Sequence, residues 1–228
     1  MKRKGLGESG MNYNGRKISL VVIRRLPRYY RYLGELLSQN IKRISSKELS
    51  EKMNVTASQI RQDLNCFGGF GQQGYGYNVE ELYHEIGGIL GLRDGHKIII
   101  AGAGNLGHAL ANHGGFEKRG FKLIAIFDAD PAKIGSQING VTVYDIAEME
   151  NFLHEHPASI GILAVPRVCT KEVADTMIAC GIKGLLNFSY MDLKVPEDVV
   201  VENVHLSDSM MTLSYQLRTR KNMLEEKE

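Results

Sequence analysis

Apolar side chains recur along this chain with two different periods. From a start at Leu26 and Pro27, the spacing of Leu26, Tyr29, Tyr30, Leu33, Leu36 and Leu37 is that of a helix with one buried face. Ser45 with Glu48, and again Thr56 with Gln59, carry the capping-box signature, which predicts two short helices with Asn54 and Val55 in the turn between them. The segment 66–77 interleaves Gly68, Gly69, Gly71, Gly74 and Gly76 with Phe67, Phe70, Tyr75 and Tyr77, the pattern of a β-hairpin. Three helices and a hairpin make a winged helix-turn-helix over 1–78, with a recognition helix at about 56–65 and a wing at about 66–77.

The pattern then changes. A helix from Asn78 to about Gly91 is expected to bridge two halves, with the boundary at 78/79. Beyond it, apolar runs at Lys97–Ala101, Leu123–Phe127, Val141–Val143, Ile160–Val165 and Leu185–Asn187 alternate with helical segments at Ile146–His154 and Thr170–Cys180. Strands alternating with helices predict a doubly wound parallel sheet, a Rossmann-like α/β domain over 79–205. At the end, Ser207 is expected to cap a helix over 206–228. Its stripe of Leu206, Met210, Leu213 and Leu217 needs a partner surface, either its own domain or a second subunit.

Charge sharpens this division. Up to Asn78 there are 14 Lys and Arg against 5 Asp and Glu, and from Val79 onward 14 against 21, so the net +2 hides a basic half and an acidic half. A basic helix-turn-helix suggests a phosphate backbone as partner. On the recognition helix, Ser58, Gln59, Arg61 and Gln62 are side chains able to reach base edges, while Arg43 and Lys47 fall where phosphates would pass. A helical dimerisation module with a solvated basic face is the competing reading of this half.

The acidic half carries its own motif. Gly102-Ala103-Gly104-Asn105-Leu106-Gly107 is G-x-G-x-x-G, directly after a strand and opening a helix, and Asp128 ends the next strand 21 residues after Gly107. The first glycine permits the turn, the second lets a pyrophosphate approach, the third lets helix and strand pack, and Asp128 is placed to accept from ribose hydroxyls. Asp128 and Asp130 without an intervening arginine favour NAD and NADH over their 2′-phosphorylated forms. Val165 with Pro166, and Asn187 with Phe188, end later strands and are expected to neighbour the nicotinamide.

Other chemistry is sparse. No histidine or cysteine spacing suggests a metal, and no catalytic residue stands out. Three cysteines, 43% apolar residues and no run approaching a membrane span predict a cytoplasmic globular protein with no membrane or metal partner, its first 15 residues a disordered arm.

Taken together, Arg25-Leu26-Pro27-Arg28-Tyr29, Ser58 to Leu64, Phe67-Gly68 with Gly71 to Tyr77, Gly102 to Gly107, Phe127-Asp128 with Asp130-Pro131, and Ala164-Val165-Pro166 with Asn187-Phe188 resemble the Rex family of redox-sensing transcriptional repressors. The resemblance spans about 19–217. It implies a homodimer that grips double-stranded operator DNA, NADH near the dimer interface and swapped C-terminal helices. It also implies that Arg31 belongs to an interface switch. Two positions depart from the family pattern: His113 stands where several members carry tyrosine, and His205 where many carry aspartate, with Asp208 the nearest acid. The expected function is therefore a repressor released by NADH, following the NADH/NAD ratio. The alternatives are an NAD-dependent dehydrogenase, or a nucleotide- or CoA-binding protein with a basic appendage.

Overall fold

The computed structural model describes residues 11–13, 16–72 and 75–225, and the chain divides into two compact units between Arg93 and Asp94. In the first unit, strands β1 (Met11–Tyr13) and β2 (Arg16–Ile18) pair antiparallel, so part of the segment expected to be a disordered arm is a ribbon. Residues 1–10, 14 and 15 of that arm lie outside the described residues. Helix α1 runs Leu20–Ser38. It starts six residues before the expected Leu26, because Ser19 caps it by accepting from the Val21 N–H at 3.2 Å. Pro27 therefore sits inside the helix, on the exposed face, where water can take the Ile23 carbonyl that proline leaves without a donor.

Strand β3 (Arg43–Ile44) leads to α2 (Ser46–Met53), whose Ser45–Glu48 capping box is complete in both directions. Asn54 takes the left-handed conformation at φ 51°, turning the chain into α3 (Ala57–Asn65). Strands β4 (Gly71–Gln72) and β5 (Gly76–Asn78) form the wing, and β3 joins them in the order β3-β5-β4. Residues 73 and 74 lie outside the described residues. Helix α4 (Val79–Ile89) buries Val79, Leu82 and Ile86 against Leu26, Leu33, Leu49 and Ile60. It belongs to the first unit rather than bridging, and moves the boundary from 78/79 to 93/94, because its apolar face completes the core of the three helices.

The second unit is a seven-stranded sheet. Its strands are β6 (His96–Ala101), β7 (Phe121–Asp128), β8 (Gln137–Ile138), β9 (Val141–Asp145), β10 (Ile160–Leu163), β11 (Gly184–Asn187) and β12 (Val200–Asn203), in the order β12-β11-β10-β6-β7-β9-β8. All pairings are parallel except the β8 edge, and the order is that of a dinucleotide fold with β6 and β10 at the switch point. Alternation sends side chains to two cores. Ile99, Ala101, Phe127 and Leu163 meet α6 (Met149–Glu155) and α7 (Arg167–Ala179), whereas Ile98, Ile100, Ile126 and Ile162 face α5 (Asn105–Ala111). Strand β12 was not anticipated, since the chain after Asn187 reads as loop and final helix. That last helix, α8 (Leu206–Glu225), starts one residue before Ser207.

Candidate functional site

The turn from β6 into α5 is shaped by what a side chain would meet there. A Cβ at Gly102, where φ is +101°, would overlap the Ala164 carbonyl, and one at Gly107 would overlap the Gly102 carbonyl. A Cβ at Gly104 would meet nothing within 4 Å. Two glycines are thus demanded by the fold, while the third borders open space, as a phosphate cradle requires. Gly104 also caps α5 without a side-chain bond, leaving amide hydrogens of the first turn available to an anion. Ala103, Gly102 and Gly107 are buried, and Gly104, Asn105 and, in part, Leu106 border solvent.

Asp128, at the end of β7, ties this turn down. Its Oδ2 accepts from the Ala103 N–H at 2.6 Å, and its Oδ1 accepts from the Asp130 N–H at 2.9 Å. Lys133 stands 3.3 Å from Asp128 and 3.4 Å from Asp130. Burial pushes the Asp128 carboxyl up, but the two backbone donors and the Lys133 ammonium outweigh it and hold it below its ordinary value. Lys133 was missed in the sequence, although its place three residues after Asp130 was the available signal. One lysine against two carboxylates leaves the corner net negative, which still disfavours a 2′-phosphate.

The remaining expected neighbours divide. Val165 is half-buried and Pro166, which precedes α7, is exposed; Phe188 is half-buried on the α5 face. Asn187, expected as a coenzyme neighbour, commits its side chain to the protein. It is fully buried, its Nδ2 donates to the Met191 carbonyl and to Asn203 Oδ1, and its Oδ1 accepts from the Ser189 N–H, so its polar atoms brace the loop after β11. Beside it, the Ser189 hydroxyl is buried with no partner among the described residues, an orphaned polar atom at the carboxyl end of the sheet. The glycine clearances, the uncapped α5, Asp128 and this hydroxyl fit a dinucleotide laid across the strand ends. Among the described residues no cluster could hold a metal ion and no helix is long and apolar enough to cross a membrane.

His205 is half-buried, with Nε2 3.1 Å from the Ser189 carbonyl, Nδ1 3.5 Å from Asp208 and its ring stacked on Tyr190. His113, exposed, meets Phe116 edge-on. Arg31 is exposed on α1 of the first unit.

On the first unit, Ser58, Arg61 and Gln62 are exposed on α3, and Lys47 on the first turn of α2. Arg61 donates to Ser46 Oγ at 2.9 Å. Arg43, expected at phosphates, donates to the Tyr75 carbonyl at 3.3 Å and lies over the Tyr75 ring, so the structure ties it to the wing. Gln59 departs from the capping box. Thr56 accepts from its backbone N–H, but its side-chain amide turns inward to Asp63. That buried aspartate, unassigned in the sequence reading, also takes a two-pronged bond from Arg25 at 2.6 and 2.7 Å and the Tyr29 hydroxyl at 2.7 Å. The available signal was an acid three residues after Ile60 on the inward face of α3.

Burial pushes the Asp63 carboxyl up, but the Arg25, Tyr29 and Gln59 donors outweigh it and hold it below the ordinary value. A depressed carboxyl contributes stability present above its unfolded pKa, about 3.9, and lost as pH falls through the lower folded value. Arg25→Met removes the first of these donors and its charge, so burial is less fully offset and the ionised carboxylate is stabilised less in the folded state. Hydrogen exchange at α3 amides should report a loss of about 2 kcal/mol at pH 7 that narrows as pH falls toward 4. A deficit independent of pH would show that Arg25 contributes packing alone.

A winged helix-turn-helix followed by a Rossmann-like sheet defines a DNA-binding regulator with a built-in nucleotide domain. Comparisons agree with both parts: residues 17–65 match the family "Putative DNA-binding protein N-terminus" and residues 94–191 match the CoA binding domain family. Over 201 residues the chain is 60% identical to the redox-sensing transcriptional repressor Rex of Thermoanaerobacter pseudethanolicus, covering 88% of this chain and 90% of that one. It is 56% identical over 200 residues to the Rex of Clostridium perfringens, covering 88% and 94%. Among solved structures, RSP in complex with β-NAD+ and operator DNA superposes with a TM-score of 0.85 at 56% identity, covering 92% of this chain and 97% of that one. RSP in complex with β-NADH gives 0.84 at 53%, covering 92% and 99%. The chain belongs to the Rex family of redox-sensing transcriptional repressors, which sets aside the dehydrogenase alternative.

Proposed function

We propose that this protein represses transcription by binding operator DNA as a homodimer and leaves it when NADH occupies the second unit, so that expression follows the cytoplasmic NADH/NAD ratio. The observation that carries this reading is the β6–α5 turn, whose fold-required glycines flank an open Gly104 beside Asp128. Relatives at more than half identity are described with NAD+ and operator DNA, and with NADH.

A ligand shifts an equilibrium only by its difference in affinity for the two states. NAD+ and NADH share the pyrophosphate and ribose contacts at Gly102, Gly104, Gly107 and Asp128, so discrimination falls to the nicotinamide end. There the half-buried Val165 and Phe188 disfavour a charged ring and tolerate a neutral one. The chain's own residues bind and orient; none is asked to move a proton or electron.

The deciding measurement is an operator gel shift with NAD+ and NADH titrated against each other. NADH should release the duplex and NAD+ should oppose it; a complex indifferent to the ratio refutes the reading. At the site itself, Asp128→Ala should weaken NADH about ten-fold by removing a charged acceptor while the unliganded protein keeps its operator. Calorimetry showing unchanged NADH affinity would remove Asp128 from ribose binding.

A further inference from the structure

A carboxylate on the inward face of a DNA-reading helix is an expensive choice unless every lone pair is used. Asp63 is 1% exposed, and its two oxygens take four bonds: Arg25 Nε and the Tyr29 hydroxyl on Oδ2, Arg25 Nη2 and Gln59 Nε2 on Oδ1. Arg25 and Tyr29 come from α1, so the carboxylate fixes α3 against α1. The fourth bond does something else. A carboxylate only accepts, so the Gln59 atom facing it at 2.8 Å is the amide nitrogen, and the orientation of that amide is decided by chemistry. One N–H is consumed. With the hydrogen trans to the carbonyl given to Asp63, the other N–H and the carbonyl oxygen share the opposite edge of the amide, and among the described residues the oxygen takes no donor.

An acceptor beside a donor is complementary to the N6 amino group and N7 of adenine in the major groove. We propose that Asp63 is a positioning residue that locks Gln59 in this orientation, so that α3 reads an adenine in each half-site. An unclamped glutamine would surrender its rotational freedom on binding; this one has surrendered it on folding. The proposal rests on α3 being the element that reads the operator.

The probe is a duplex selected from a randomised pool by the full-length protein, then substituted at each position and measured by fluorescence anisotropy. Gln59→Ala should flatten the preference at one A·T pair per half-site by about ten-fold, with the preferences at the other positions of the half-site retained. Asp63→Asn should flatten the same position, and the double variant should be no worse there than Gln59→Ala. Because Asp63→Asn risks misfolding, side-chain NMR relaxation of the wild type gives an independent readout: the Gln59 amide should be as rigid as the backbone. A Gln59 amide as mobile as that of a solvent-exposed glutamine overturns the proposal. So do flattening at different positions by the two variants and an adenine preference that survives Gln59→Ala. Wild-type protein that selects no duplex at all overturns the functional reading instead.

Discussion

Leu213→Glu is expected to convert the protein to a monomer and to lower operator affinity by at least about a hundred-fold. Helix α8 carries Leu206, Met210, Leu213 and Leu217 at spacings of four, three and four, and in the single chain these side chains are 46–66% exposed. In the single chain the stripe is not covered by its own unit, and a second subunit is the partner surface we propose for it. A helix of 20 residues with no apolar face covered is only marginally stable in water. A second uncovered apolar surface lies on the α5 side of the sheet, toward β10 to β12. It is a hollow of about 300 Å³ lined by Ile98, Phe116, Phe121, Ile160, Ile162 and Leu186. Two large apolar surfaces on one chain are what a closed pair of subunits would bury. Two recognition helices linked in such a pair gain about 10²–10⁴ over either alone, and a charge in the stripe forfeits that gain. Light scattering and anisotropy on one sample check it; a monomeric variant with wild-type operator affinity would show that a single winged helix suffices.

The helix-turn-helix and the nucleotide turn were legible because their signals are local. Ser45 with Glu48, Thr56 and Gly107 act through bonds and clearances within a few residues, so spacing alone places them, whereas Gly102 is demanded by the Ala164 carbonyl at the end of a distant strand and was legible only through its place in the motif. The misreadings came from longer range. Pro27 looked like a helix start because the alternative, a proline tolerated on a solvated helix face, depends on burial that the sequence does not display. Helix α4 looked like a bridge until its face was seen to complete the core of α1. Asn187 sits where a coenzyme neighbour is expected, but its partners, Met191 and Asn203, are brought together only by the pairing of β11 with β12. Likewise, Asp63 and Arg25 are 38 residues apart, and neither announces the other. Binding geometry near the backbone is thus readable, whereas side-chain commitments across elements require the fold.

That distinction can be tested within the nucleotide turn itself by comparing Gly104→Ala with Gly107→Ala. Both are expected to weaken NADH by at least about a hundred-fold, since losing two bonds to phosphate at about 1.5 kcal/mol each is enough. Their causes differ. At Gly104, where φ is −75° and ψ −172°, alanine is conformationally ordinary, and the added Cβ enters open space, so unfolding should be unchanged. The methyl group instead occupies room that the pyrophosphate needs. At Gly107 the Cβ overlaps a backbone carbonyl, and α5 must move off β6 to relieve it, which should cost about 2 kcal/mol of stability as well. Urea unfolding separates the two, and calorimetry with NADH shows whether both lose the ligand. If repression is governed by the coenzyme, Gly104→Ala should still hold the operator yet ignore NADH, a constitutive repressor made by one methyl group. A Gly104→Ala protein that binds NADH as tightly as the wild type would mean that the pyrophosphate does not rest on this turn.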